Sequence, residues 1–124
     1  MGKKNQKVLI ALYVFFILWM TLFTRDTRAA RIFRGLFWEA RMGYWWDIVL
    51  NILLFIPLGF LLGDKGWKAI LYGFLLSAFI EFLQYIAVLG YCEADDVLNN
   101  TIGAVIGAGV WKTCPIVGAL REYK

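Results

Sequence analysis

Glu81 and Gln84 are the polar residues with the clearest capacity for chemistry, because both lie deep within a long apolar stretch of the sequence. Their spacing of three residues places the two side chains on one face of a helix. An ionisable group in apolar surroundings is costly to keep there and commonly marks a functional site. A buried glutamate suits general acid or base catalysis. We therefore take Glu81 as the candidate catalytic residue and both residues as candidate ligand-binding groups.

A second set of polar residues has the spacing of a helix face. Asp96, Asn100, Gly103 and Gly107 follow one another at i, i+4, i+7 and i+11, so they form one stripe. The two glycines make a G-x-x-x-G pair, which allows helices to approach closely. We therefore expect the stripe to face another helix. Asn51 lies near the start of an earlier apolar run.

Three apolar segments thus contribute the polar candidates for ligand binding, which are Asn51, Glu81, Gln84, Asp96 and Asn100. In a bundle of spanning helices all of them would lie in the outer half of the membrane. Two interpretations stay open. The residues bind a ligand, or they form interhelical hydrogen bonds that each stabilise the bundle by roughly 0.6–2 kcal/mol.

The elements that must position these residues are long apolar helices. Hydrophobic residues make up 61% of the 124 residues and charged residues 18%, against roughly 45–50% and about 25% in soluble domains. The pattern predicts an all-α polytopic membrane protein, a single domain with four transmembrane helices at about 8–24, 47–63, 67–89 and 96–112. No signal-peptide cleavage site follows the first run, so we expect it to persist as a helix. The alternative, a soluble bundle, would leave almost no polar surface.

Lysine and arginine residues predict the orientation of these helices. Four spans place the N-terminus, the turn near residue 65 and the C-terminus on one side of the membrane. That side carries more basic residues than the other, namely Lys3, Lys4, Lys7, Lys65, Lys68, Lys112, Arg121 and Lys124. The positive-inside rule therefore predicts a multi-pass protein with its N- and C-termini in the cytoplasm.

The segment between the first and second helices is rich in arginine. Apolar side chains recur there at helical spacing, at Ile32, Phe33, Leu36, Phe37 and Ala40. This pattern predicts an amphipathic helix over about 27–41 that lies in the outer headgroup layer. Nearby arginines, Arg25 and Arg28 among them, are candidates for binding lipid phosphates. The alternative is a solvated loop whose arginines touch only bulk lipid.

Composition excludes several kinds of site. The chain has no histidine, which rules out histidine-based catalysis and histidine-ligated metals. Cys92 and Cys114 cannot form a zinc site unaided, and the predicted topology separates them too far for a disulfide. Basic residues flank the apolar runs, so we interpret the net charge of +4 as a topology signal. We expect no metal, no cofactor and no nucleic-acid partner.

Three ordered motifs carry a resemblance to a known family. The segment 51–59 resembles the second-helix motif of the VanZ-like family, and Glu81-Phe82-Leu83-Gln84 resembles its E-x-x-Q element. The segment 90–104 is similar to that family's acidic turn and the N-T-x-G-A opening of its last helix. One departure is that many members carry an arginine in the turn after the third helix, where this chain has Gly90-Tyr91-Cys92.

The resemblance implies a membrane protein of the bacterial cell envelope, in a family named for a member that gives low-level resistance to the glycopeptide teicoplanin. Three functions stay open. The first is the binding of a lipid-linked envelope precursor or a lipoglycopeptide among the membrane lipids. The second is an intramembrane enzyme in which Glu81 is the acid or base and Asp96 its partner. The third is a small transporter formed by a homo-oligomer.

Overall fold

Four long helices dominate the computed structural model, which describes residues 3–23, 32–87 and 91–113. In chain order the elements are α1 (Lys3–Leu18), β1 (Ile32–Arg34), α2 (Trp38–Met42), α3 (Trp45–Leu61), α4 (Trp67–Ala87), β2 (Tyr91–Glu93) and α5 (Ala94–Thr113). A π-helical turn over Trp19–Phe23 continues α1, and a 3₁₀ turn over Gly63–Lys65 joins α3 to α4. A helical protein is thus confirmed, with a helix at each of the four predicted positions.

The distribution of side chains is inverted relative to that of a soluble protein. Among the residues that the structure describes, ten polar or charged residues are buried, against seven hydrophobic ones, while thirty large hydrophobic side chains are exposed. Apolar surface on this scale is stable only in contact with lipid or with a partner. Within the same described ranges, two helical stretches could cross a bilayer by length and composition, Lys3–Leu22 and Trp67–Ala87, and the apolar α3 is shorter. These features indicate a membrane protein.

α5 is the central helix of the bundle, because it packs along α3 and also against α4. Gly103 lies against the backbone carbonyl of Ile52, and Gly107 against that of Ile56. A side chain at either glycine would overlap the α3 backbone, so the close approach depends on both. The prediction that the G-x-x-x-G stripe faces another helix is confirmed.

Ala104 is the point at which three helices meet. It is fully buried on α5, between Gly59 of α3 and Gly73 of α4. A Cβ atom on Gly73 would lie 2.7 Å from the Ala104 Cβ, and one on Gly59 would overlap the Ala104 backbone. Small residues on all three helices therefore hold α5 in the middle of the bundle.

Hydrogen bonds and core packing attach α1 to the edge of this bundle. Gln6 Nε2 donates to the carbonyl oxygen of Leu61 at 2.9 Å and to Asp64 Oδ1 at 2.8 Å. Tyr13 donates its hydroxyl hydrogen to the carbonyl oxygen of Leu54. Ile17 is fully buried and completes the hydrophobic core that α3 and α4 provide.

The amphipathic helix predicted over 27–41 is wrong for residues 32–37, the first part of this segment that the structure describes. β1 instead pairs in parallel with β2, with Ile32 opposite Tyr91 and Arg34 opposite Glu93. Backbone groups in such a ladder are committed to the neighbouring strand and cannot form helical bonds. Phe37 then has a φ of 64°, which interrupts any helix, and only α2 follows as a short helical turn.

Glycine-to-alanine substitutions along α5 should have opposite effects at two neighbouring positions. We expect Gly107→Ala to lower the free energy of unfolding by about 1–3 kcal/mol, since its methyl group would overlap the α3 backbone. Gly109→Ala is the control, because a Cβ there meets no atom within 4 Å. Because alanine has a better helix propensity than glycine, Gly109→Ala should raise the free energy of unfolding by roughly 0.5–1 kcal/mol. Thermal unfolding in detergent measures both, and equal shifts would contradict the packing of α5 on α3.

Candidate functional site

Most of the buried polar side chains gather at one end of the helix bundle, around the start of α5. They come from the π-helical turn, from α4, from β2 and from α5, namely Thr21, Ser77, Glu81, Gln84, Glu93, Asp95, Asp96, Asn99 and Asn100. Asn51 of α3 is half-buried beside them. The close packing of α5 through its glycines turns its polar first two turns toward the interior. This end of the bundle is the candidate functional site.

Four of these residues form a connected polar network, which consists of Asn51, Ser77, Asp96 and Asn100. Asn51 Nδ2 donates to Asp96 Oδ1 at 2.8 Å. Asn100 Nδ2 donates to Ser77 Oγ at 2.8 Å, and Ser77 Oγ lies 3.5 Å from the carbonyl oxygen of Asp96. The network joins α3, α4 and α5, as the sequence predicted for Asn51, Asp96 and Asn100.

Glu81 lies beside the network and is 5% exposed. The backbone N–H of Glu93 donates to Glu81 Oε2 at 2.9 Å, which joins the middle of α4 to the end of β2. Glu81 is also among the residues that line an apolar groove between α4 and α5. Glu81 is therefore held in one orientation while it borders an accessible space.

Gln84 points away from the network, toward α1. Its Nε2 donates to the carbonyl oxygen of Thr21 at 2.7 Å, in the π-helical turn, and the side chain is 1% exposed. The sequence spacing places Gln84 on the same helix face as Glu81, but the Gln84 amide bonds Thr21 and the Glu81 carboxyl group bonds Glu93. The structure thus brings Asn51, Asp96 and Asn100 together and sets Gln84 apart.

In the described part of the chain, two buried acceptors at this end of the bundle have no hydrogen-bond partner. They are Asn100 Oδ1 and Gln84 Oε1, on side chains that are 3% and 1% exposed. Leaving a buried acceptor unpaired costs about 1–3 kcal/mol, so such atoms usually meet a donor. The donors that fit are hydroxyl, amide or amine groups, because phosphate and carboxylate oxygens only accept.

The family model described as VanZ/LLP1 matches residues 10–117. This chain belongs to the VanZ/LLP1 family. It is 31% identical over 121 residues to Protein VanZ of Enterococcus faecium, an alignment that covers 86% of this chain and 73% of that protein. No solved structure shows a significant match. The resemblance inferred from the three sequence motifs is thereby confirmed.

The VanZ/LLP1 region contains all of the candidate site residues, but the structure does not describe each of them. Arg25 and Arg28 lie outside the described residues. The backbone of Arg34 lies in β1 opposite Glu93 of β2, so the end of the arginine-rich segment lies beside the acidic turn. Within residues 3–23, 32–87 and 91–113, no three cysteine, aspartate or glutamate side chains are grouped as metal ligands would be.

Sequence reasoning missed several polar residues of this VanZ-like site. Asp95 Oδ1 accepts a hydrogen bond from the backbone N–H of Phe37 and so fixes the chain after β1. Thr21 serves Gln84 through its carbonyl oxygen, which no side-chain pattern could reveal. Glu93 contributes its N–H to Glu81. The available signal for Asp95 was its place in the first turn of a helix, where carboxylates are favoured.

Substitutions in the polar network should be energetically coupled. Ser77→Ala and Asn100→Ala each remove one partner of the same hydrogen bond. We expect the double variant to lose less stability than the two single variants lose in total. The difference should be about 0.6–1.7 kcal/mol. Reversible unfolding in mixed lipid–detergent micelles measures this coupling.

The matched control is Thr113→Ala in the Ser77→Ala background. Thr113 bonds only the carbonyl oxygen of Gly109 in its own helix, at the other end of α5. Its effect should add to that of Ser77→Ala within about 0.5 kcal/mol. Additivity in the Ser77/Asn100 pair as well would show that the network is not formed.

Proposed function

We propose that this VanZ-like protein acts in the bacterial cell envelope, where it binds the polar head group of a lipid-linked precursor and so modulates susceptibility to glycopeptides such as teicoplanin. Membership of the VanZ/LLP1 family supports the envelope role. The observation that carries the binding proposal is Asn100 Oδ1, a buried acceptor without a partner at the centre of the polar network. A head-group hydroxyl or amide would supply the missing donor.

The chemistry of the site divides such a head group into two parts. Sugar or peptide groups would donate hydrogen bonds to Asn100 and Gln84, each of which already donates an amide hydrogen within the protein. Phosphate would need the cations of the preceding segment, and we assign it to Arg25 and Arg28 because guanidinium groups bind phosphate oxygens in pairs. Asn51 and Asp96 complete the candidate binding residues together with Glu81.

We also propose that the chain crosses the cytoplasmic membrane four times, with both termini in the cytoplasm. α3 has 17 residues, which is about 25 Å of helix and the lower limit for a span. α5 has 20 residues, and its first half carries Asp95, Asp96, Asn99 and Asn100, all buried. Its outward positions are apolar, among them Ile102 and Val105. A polar face hidden inside the bundle is compatible with a spanning helix.

Cysteine labelling of intact cells tests this topology in the full-length chain. Cys92 and Cys114 are first replaced by serine, and single cysteines are introduced as Met42→Cys or Lys65→Cys. Both positions are exposed. We expect a membrane-impermeant maleimide to label Met42→Cys and to leave Lys65→Cys unlabelled until the cells are lysed. The opposite pattern would show that the protein has the reverse orientation in the membrane. Labelling of both positions in intact cells would exclude the four-span topology, which places them on opposite sides.

Glycopeptide susceptibility tests the binding proposal. We expect expression of the wild-type protein in a sensitive bacterium to raise the minimum inhibitory concentration of teicoplanin. Asn51→Ala and Asn100→Ala should remove most of that increase, because loss of about 1.4 kcal/mol of buried hydrogen bonding weakens binding about tenfold. Gln6→Ala is the control, since it removes a buried, hydrogen-bonded amide at the opposite end of the bundle.

Two outcomes of this experiment are decisive when expression levels are equal. Protection lost only in the Asn51 and Asn100 variants supports the site. Protection retained in both variants would leave the network as interhelical packing alone.

A catalytic role is the second candidate function, because Glu81 borders the groove. A catalytic role predicts a lipid product that wild-type cells accumulate and Glu81→Gln cells do not.

A further inference from the structure

A second groove, of about 390 Å³, opens sideways between α1 and α3, and we call it the lateral groove. The two helices run in opposite directions, because Gln6 bonds Leu61 and Tyr13 bonds Leu54. The volume lies within the range of small-molecule sites, roughly 300–1,000 Å³, and far exceeds the roughly 30 Å³ of one water molecule. The lining residues are Tyr13, Phe16, Met20, Thr21, Leu50, Asn51, Leu53 and Leu54.

Asn51 is the member of the polar network that reaches the lateral groove. Ser77, Asp96 and Asn100 are at most 3% exposed, whereas Asn51 is half-buried and lines the groove. Asn51 donates one amide hydrogen to Asp96. Among the described residues no group donates to Asn51 Oδ1, and that oxygen is not enclosed by the protein. The groove thus exposes a hydrogen-bond acceptor beside its apolar surface.

Two hydroxyl groups in the lining add to this acceptor character. Tyr13 donates its hydrogen to the carbonyl oxygen of Leu54, and Thr21 donates to that of Ile17 at 2.8 Å. With their hydrogens committed, the two hydroxyl oxygens can only accept further bonds. None of the described lining residues carries a charge, so a charged head group would lose its hydration without gaining a counter-charge. A ligand that fits this lining is neutral and donates hydrogen bonds.

The depth of Asn51 along α3 decides what can supply such a donor. Trp45 and Trp46, at the start of α3, are 62% and 69% exposed, as is typical of side chains at headgroup level. Asn51 follows Trp45 by six residues, or about 9 Å of helix. Phe16 and Leu53, both exposed, border the groove around it. An unpaired acceptor that faces hydrocarbon is costly, and lipid chains offer it no donor.

We propose that the lateral groove binds a neutral amphiphile from the membrane, whose hydroxyl or amide group donates a hydrogen bond to Asn51 Oδ1. Its hydrocarbon chain lies along Phe16 and Leu53, the exposed apolar side chains of the two walls. The ligand class is therefore an uncharged lipid, such as a fatty alcohol, a fatty amide or an acylglycerol with a free hydroxyl group. The inference goes beyond the proposed function, with which it shares Asn51, because it adds an uncharged ligand and a second place of binding.

Photocrosslinking of the full-length protein in phosphatidylcholine nanodiscs tests the groove. The probes are dodecanol and its methyl ether, which cannot donate, each with a diazirine at the same carbon of the chain. Labelling at Phe16 is divided by labelling at Phe79, which is exposed on α4 and lines neither groove. The two residues lie at similar depth, seven positions before Phe23 and eight before Ala87.

We expect this ratio to be about fivefold higher for dodecanol than for the ether, the factor expected for one neutral hydrogen bond. Unlabelled dodecanol should compete for labelling at Phe16 and leave labelling at Phe79 unchanged. Asn51→Leu should reduce the dodecanol ratio to that of the ether, because it removes the acceptor and keeps a side chain of similar size.

A substitution that fills the groove provides the matched comparison. Leu53→Trp should lower the ratio for both probes about fivefold or more. Leu71→Trp is the control, because Leu71 is exposed on α4 and lines neither groove. Thermal unfolding of each variant shows whether it is folded, and the comparison of the two probes on the wild type needs no variant.

Equal ratios for the alcohol and the ether in the wild type would show that bulk lipid fills the groove and would overturn the inference. A preference for the alcohol that persists in folded Asn51→Leu would also overturn it. The result is independent of the susceptibility experiment. Donor-selective labelling without protection against teicoplanin would support the groove and reject the proposed function, and protection without donor-selective labelling would reject the groove alone.

Discussion

The close approach of α5 to α3 is the constraint on which the other features of the molecule depend. The two helices touch backbone to backbone at Gly103 and Gly107, and Ala104 brings α4 into the same junction. In a membrane, where apolar side chains gain nothing by leaving lipid, such small-residue seams supply the van der Waals contact that holds helices together. Because the glycines share a helix face with Asp96 and Asn100, the seam that positions α5 also turns its polar end inward.

That inward turn makes the hydrogen bonds of the site obligatory. Polar groups enclosed by apolar helices cannot exchange protein partners for water, so each requires a partner from a neighbouring element. Three of the described side-chain bonds join separate elements. Asn51 on α3 bonds Asp96 on α5, Asn100 on α5 bonds Ser77 on α4, and Gln84 on α4 bonds the turn after α1. The polar interior therefore fixes the relative positions of all four long helices.

The features that could be predicted from sequence are those set by local periodicity. Apolar runs and flanking charges located the four long helices to within a few residues, and the i, i+4, i+7 stripe correctly placed Asp96, Asn100 and the glycines on one face. Three motifs sufficed for the family. Each of these signals lies within a single helix or a short segment, where geometry is fixed by the helical repeat.

The features that sequence reasoning missed depend on contacts between distant segments. β1 and β2 are three residues each and lie about 60 positions apart, so neither has a pattern long enough to outweigh the helical spacing around it. Gln84 bonds a backbone carbonyl in a π-helical turn, and one of the two partners of Gln6 is also a backbone carbonyl, that of Leu61. Backbone partners carry no residue signature. The direction of a buried amide could therefore be found only from the fold.

Helix packing and ligand binding need not be alternatives at this site. Asn51, Asn100 and Gln84 each donate an amide hydrogen to another part of the protein, which accounts for the packing role. The oxygens of the last two remain without partners. An interior that uses its donors to join helices retains a surplus of acceptors in fixed positions, since the same bonds prevent the side chains from turning. A site of this kind selects ligands that donate hydrogen bonds, and it leaves any anionic part of a ligand to the arginine-rich segment that β1 ties to the acidic turn.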